Sequence, residues 1–229
     1  MERRFEQQIE DLKQQLLHMS GLAERIIRKA VESLQRRDAA LAEEVFLDDK
    51  AIDRLEIEIE ERCLQLLALQ HPLATDLRLV TSALKISTDL ERVGDHAVNI
   101  AGCAKKLVEL PSERPLADLG PLVEGATGML REALDSFVRR DAEAARRLVL
   151  RDDEVDELNR HLFSELLARM VCDPAEIEAS MAYVLVGRNL ERVGDLATNV
   201  AEEVVFIAEA RVIKHHAEDA AAADEFGRS

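Results

Sequence analysis

Tryptophan is absent from these 229 residues, and one Tyr and six Phe bring the aromatic share to only 3%. Glycine and proline are also scarce, at nine and five. Sheets and hairpins draw on aromatic and turn residues, so a β-rich fold has little to build from. The apolar share is nonetheless 47%, mostly Leu, Ala, Val and Ile, which is the composition of a helix bundle. Cys63, Cys103 and Cys172 form no CxxC pair and are odd in number, so neither a disulfide framework nor a thiolate zinc site is supported. Apolar stretches such as Met181 to Val186 fall far short of the roughly 20 residues of a membrane helix. The first ten residues are charged rather than apolar, unlike a secretory leader. A cytoplasmic protein is expected, reaching a membrane only through partners. Positive charge is in deficit as well: 30 Lys plus Arg against 46 acids leave a net charge of −16. That charge repels a phosphate backbone and excludes direct nucleic-acid binding, while attracting cations and basic protein surfaces.

What the chain does have is helical periodicity. Apolar residues recur at three- and four-residue intervals, and the breaks predict six helices. The first runs from about Arg4 to Gln35. The second opens near Asp38, where Arg36-Arg37-Asp38 reads as a cationic last turn followed by an Asp N-cap. The third follows His71-Pro72, and a loop with Pro111, Pro115 and Pro121 precedes the second half. That half repeats the plan: Arg139-Arg140-Asp141 stands 103 residues after Arg36-Arg37-Asp38, and the segment at Leu90 recurs at Leu190 with an offset of 100. The three-residue difference is expected between His71–Asp76 and Cys172–Glu176. The expected architecture is all-α, two tandem three-helix bundles over 1–110 and 114–213, with residues 214–229 a disordered tail.

From Leu90 to Ala101 and from Leu190 to Ala201, nine of twelve positions are identical, including Leu-Glu-Arg-Val-Gly-Asp. Helix cores tolerate apolar swaps, as Ile100 against Val200 shows, so polar identity in both copies points to a shared chemical task. At 100° per residue, Glu91, Asp95 and Asn99 fall within roughly 80° of one another, opposite the apolar stripe Ile86, Val93, Ala97, Ile100 and Ala104. Glu191, Asp195 and Asn199 lie likewise opposite Val186, Val193, Ala197, Val200 and Val204. The pairs Asp49/Asp53 and Asp152/Asp156 also stand one turn apart, beside the stripes Val45, Ile52, Leu55, Ile59 and Leu148, Val155, Leu158, Leu162. Like charges at that spacing destabilise an isolated helix by roughly 0.2–0.5 kcal/mol per pair, which a bound cation would offset. Oxygen-only donors suit magnesium, manganese or calcium, and carboxylate-rich sites also hold iron or zinc. The competing reading is a solvated charged face, with Arg92 and Arg192 simply pairing neighbouring acids. Mid-helix Gly94 and Gly194 read as points of close helix approach. His71 and His96 read as ordinary surface or loop residues, and no Glu-x-x-His, phosphate loop, nucleophile elbow or Cys/His pair is present.

The string Asp89-Leu-Glu-Arg-Val-Gly-Asp-His96, with Asn189 to Leu196, His71-Pro-Leu-Ala-Thr-Asp-Leu-Arg78 and Asp49 to Asp53, resembles the PhoU family over about residues 1–213. The resemblance implies two side-by-side three-helix bundles whose E(D)xxxD motifs bind iron, zinc or other metals. Carried onto this sequence, those motifs are Asp49, Asp53, Glu91 and Asp95, and Asp152, Asp156, Glu191 and Asp195. It also implies a non-enzymatic negative regulator of the phosphate-starvation response, linking the transporter PstSCAB, through its ATPase PstB, to the sensor kinase PhoR. A homodimer is expected. The sequence departs from its own repeat where Asp76-Leu-Arg78 becomes Glu176-Ile-Glu178, so the halves are expected to differ in metal affinity or partner surface. A carboxylate-metal hydrolase or oxidase and a purely structural scaffold are the alternatives.

Overall fold

A computed structural model describes residues 2–110 and 116–213. Among them there is no strand. The helices are α1 (Glu2–Arg36), α2 (Ala39–Gln70), α3 (Ala74–Val108), α4 (Gly120–Arg139), α5 (Ala142–Val149), α6 (Asp152–Cys172) and α7 (Ile177–Glu209), with a 3₁₀ turn at Pro174–Glu176. Pro111, Pro115 and the 214–229 tail lie outside the described residues. Among the described residues no helix is long and apolar enough to cross a membrane.

Six helical rods form as the periodicity predicts, except that the fifth is interrupted between α5 and α6. Its last turn tightens into a 3₁₀ bond, Arg151 N–H to Leu148 C=O at 2.9 Å. The helix then restarts on Asp152-Asp153-Glu154, acids that favour a helix N-terminus. Arg151 sits at this break and bridges Glu132 of α4 at 2.7 Å and Glu154 at 3.2 Å. The equivalent residue of α2, Asp48, bonds Lys29 of α1 at 2.6 Å with the charges exchanged, and there the helix runs on unbroken.

The turn chemistry repeats. Asp38 accepts the N–H groups of Ala40 and Leu41 at 2.9 and 3.0 Å, and Asp141 that of Ala144 at 2.9 Å, as N-caps do. The residues before them, Arg37 and Arg140, are both left-handed, with φ of 52° and 54°. Arg37 also donates to the Leu107 and Leu110 carbonyls, satisfying the end of α3.

Along α1, Leu12, Leu16, Met19, Ala23, Ile26 and Ala30 recur at alternating intervals of four and three and are all buried, the seam of a helix packed lengthwise on its neighbours. Every residue of the two stripes predicted for the third and sixth rods is buried, so those helices present their other face outward. Helices α2, α3, α7 and α6 lie side by side in that order, and α1 and α4 pack against them from the opposite side. The halves meet along α3 and α7, which run antiparallel: Arg78 donates to the Ile207 carbonyl, Ser82 to Glu203, and His96 bonds Asn189. A second junction joins α1 to α4 through Arg28 with Glu124 and Thr127, and Arg131 with Glu24. One continuous apolar core runs through both halves.

Candidate functional site

In the first half the acids gather in the seam between α2 and α3. Gly94 creates it: a Cβ there would collide with Asp49 Oδ1 and touch Ile52, so the missing side chain is what lets Asp49 settle against α3. Burial pushes the Asp49 carboxyl up to about 6, with the charges of Asp53 and Asp95 adding to it. Burial likewise raises Glu91 to about 7, reinforced by Asp95, Glu56, Asp53 and Asp49. Both carboxyls are half-buried, while Asp53, Asp95 and Asn99 are exposed. Glu56, one turn beyond Asp53, accepts the Thr88 hydroxyl at 3.0 Å and faces the same seam. Arg92 turns away to Asp89 at 3.5 Å. The charges that act most on Glu91 are therefore all negative.

The second copy has the same motif and different partners. Glu191 accepts a short hydrogen bond from the Asn159 amide, and Asp195 is paired with Arg192 at 2.8 Å. Asp156 is raised by burial and by Asp195 and Asp153, but Arg160 and Arg192 pull it back. Asp152 opens α6, and its side chain falls outside the described residues. Among the described side chains, a Cβ at Gly194 would meet Val155 at ordinary contact distance. A tight approach stands at Gly187, where a Cβ would collide with Asn159 Oδ1 and Leu162.

Two substitutions between the repeats account for this difference. With the offsets of 103 and 100, Glu56 corresponds to Asn159, and Asp89 to Asn189. An amide at 159 donates to Glu191 where a carboxylate at 56 repels Glu91. Asn189 is neutral and is engaged by His96 at 2.9 Å, so Arg192 turns forward to Asp195, whereas Arg92 is held back by Asp89. Glu56, Asn159 and Gly187 were not among the expected site residues. Their signal lay in the positions where the repeats differ. His96 departs from the expected surface histidine because its ring spans the junction of the halves. Asn199 lines a groove of about 580 Å³ between α3 and α7, with Lys85, Asp89, Glu202 and Glu203.

The chain matches the family model described as "PhoU domain" twice, over residues 16–104 and 121–204. The chain belongs to the PhoU family. Among curated PhoU relatives, the "Phosphate-specific transport system accessory protein PhoU homolog" of Aquifex aeolicus is 38% identical, the match covering 91% of this chain and 94% of that protein. Its namesake in Clostridium acetobutylicum is 36% identical over 89% and 93%. The crystal structure of PhoU from Pseudomonas aeruginosa is similar at a TM-score of 0.84 and 35% identity, covering 90% of this chain and all of that one. The phosphate transport system regulatory protein PhoU from Streptococcus pneumoniae is similar at 0.83 and 29%, covering 92% and 100%.

The metal that the PhoU resemblance implies can be weighed against each seam. In the first, oxygen-only donors that repel one another suit a hard cation. In the second, Arg192 pairs with Asp195 and the Asn159 amide donates to Glu191. Among the described residues no three His, Cys, Asp or Glu side chains are gathered closely enough to hold one ion as they stand.

Proposed function

We propose that this chain is a regulator of phosphate transport that acts by binding other proteins, coupling a phosphate ABC transporter, through its ATPase PstB, to the sensor histidine kinase PhoR. In phosphate plenty it holds the starvation response off. The observation that carries this reading is the match along nearly the whole chain, at 36–38% identity, to proteins named as accessory to phosphate-specific transport. The absence of a nucleophile motif in the sequence supports a binding role over a catalytic one. Deleting the gene should switch on a phosphate-starvation reporter in high phosphate, and the full chain should restore repression. Repression that persists in the deletion strain would sink the proposal.

A cation belongs to this reading as a modulator of the first half. Asp49, Asp53, Glu91 and Asp95 would hold it, with Glu56 and Asn99 at the margin; iron or zinc are the family's metals, and manganese or magnesium suit the oxygen donors. Bound there, the metal would supply positive charge that cancels the repulsion between α2 and α3. The chain's own residues set the selectivity of the two halves: Arg192 and Asn159 close the second seam, and Arg92, held by Asp89, leaves the first open. Calorimetric titration with manganese should then give one equivalent per chain, lost in Glu91→Gln and kept in Glu191→Gln. Two equal sites, or none, would contradict it.

A further inference from the structure

The outer side of α6 and α7 carries an apolar surface that the first half keeps only in part. Phe163, Leu167 and Val171 recur every fourth residue on α6, and Ile177, Met181 and Leu185 do the same on α7. All six are between 43% and 77% exposed. The Asn159–Glu191 bond and the approach of Leu162 to Gly187 set the antiparallel register. That register brings Phe163 level with Leu185, Leu167 with Met181 and Val171 with Ile177. Two rows of three exposed side chains thus flank the α6–α7 contact over about two turns.

The fold does not require this apolarity. At the equivalent positions the first half has Glu60 for Phe163, Thr81 for Met181 and Lys85 for Leu185, and keeps Leu64, Ala68 and Leu77 at the other three. We propose that the α6–α7 face is a docking groove for a basic amphipathic helix of a partner protein.

Area and charge select that occupant. Six half-exposed side chains offer on the order of 600 Å², the upper end of a monomer's apolar patches and less than the roughly 800 Å² per partner of a standard interface. A groove of that size between two helices suits one helix inserting apolar anchors at three- and four-residue spacing. A second copy of this chain would bring a like net charge of −16 to the contact, whereas a basic helix is attracted. The margin leans acidic as well, with Glu157, Asp173 and Glu178 against Arg160 and Arg188.

The test uses the full chain at physiological ionic strength, where charge alone is screened. The probe is a fluorescein-labelled Leu/Lys peptide of about five helical turns with leucines on one face, compared with a shuffled peptide of the same composition and a Leu/Glu version. The striped basic peptide should bind saturably, and both controls roughly tenfold more weakly or worse. Leu167→Glu should lower its affinity about tenfold although it adds negative charge, and Leu64→Glu, the equivalent change in the first half, should not. Leu167→Ser, checked for an unchanged melting transition, repeats the test without a new charge. Equal binding of the shuffled peptide, or equal loss in Leu64→Glu, would overturn the proposal. So would a wild-type dimer in sedimentation that Leu167→Glu dissolves, because a second copy would then fill the groove. Removal of residues 214–229 that strengthened peptide binding would assign the groove to the chain's own tail, and overturn it too.

Discussion

The two halves share a plan and an acidic motif but differ in what neutralises their charge. In the first, Asp49 and Glu91 face other carboxylates across α2 and α3 and are pushed up to about 6 and about 7. In the second, an amide answers Glu191 and an arginine answers Asp195. The flank beside each seam differs in the opposite sense, polar at Glu60, Thr81 and Lys85, and apolar at Phe163, Met181 and Leu185. Even the junction between them is uneven: Glu203, 6% exposed, receives Ser82 at 2.7 Å and Lys85 at 2.8 Å, while its mirror position has Cys103 with Ala182 and Leu185. Identical motif residues therefore do different things, because their surroundings assign their partners.

The largest test of that asymmetry is at the junction. Glu203→Ala leaves Ser82 and Lys85 without their acceptor and should cost about 2–3 kcal/mol in chemical denaturation. Replacing Ser82, Lys85 and Glu203 together by Ala, Leu and Cys copies the mirror arrangement and should return stability to within about 1 kcal/mol of wild type. A triple variant as weak as the single would show that the two sides of the junction are not interchangeable.

The glycines come next. Among the described side chains Gly194→Ala meets ordinary contacts with Val155 and should gain about 0.5–1 kcal/mol from helix propensity. Gly94→Ala must displace Asp49, so the same gain should be cancelled or reversed. Denaturant midpoints at a constant slope measure both. Equal gains would mean that Asp49 does not depend on Gly94.

The pH response should separate the halves by about 1 kcal/mol after allowance for solvent screening. Because the fold raises Asp49 and Glu91, their protonated forms favour the folded state. That contribution is full below the unfolded carboxyl values, about 4, and is lost as pH rises through about 6 for Asp49 and about 7 for Glu91. Glu91→Gln should therefore melt higher than wild type at about pH 8, with the advantage gone at about pH 4. Glu191→Gln, which disturbs the bond from Asn159, should show no such gain at the higher pH. An identical pH profile for both variants would erase the distinction.

Arg192→Ala is the smallest change in stability, at most about 0.5 kcal/mol for an exposed pair. Its value lies in uptake: combined with Asn159→Glu it reproduces the first seam, and manganese titration should then gain a second equivalent per chain. If it does not, the two seams differ by more than these residues.

Much of this was legible in the sequence. The stripes at Val93 and Val193 named the buried faces of the third and sixth rods, because period 3.6 leaves no other side to bury. Arg36-Arg37-Asp38 and its copy marked turns through a cap whose chemistry is local. The break at Leu150-Arg151 was not legible, since Arg151 bridges Glu132 on the preceding rod, a contact that only packing creates. Nor was the role of His96, whose partner Asn189 lies in the other half.

The sequence by itself determined the all-helical class, the duplication, the family and the separation of the carboxylates from the apolar stripe, since each follows from composition, from matching segments or from helical period. The half-burial of Asp49 and Glu91 in the seam departs from the outward direction expected of them. Only the tertiary structure decided which of those carboxylates are opposed and which are answered. That depends on Asp49, Glu56, Asn159, Asn189 and Arg192 meeting partners from other helices or turning within their own, and electrostatic energy depends on the distances that packing creates.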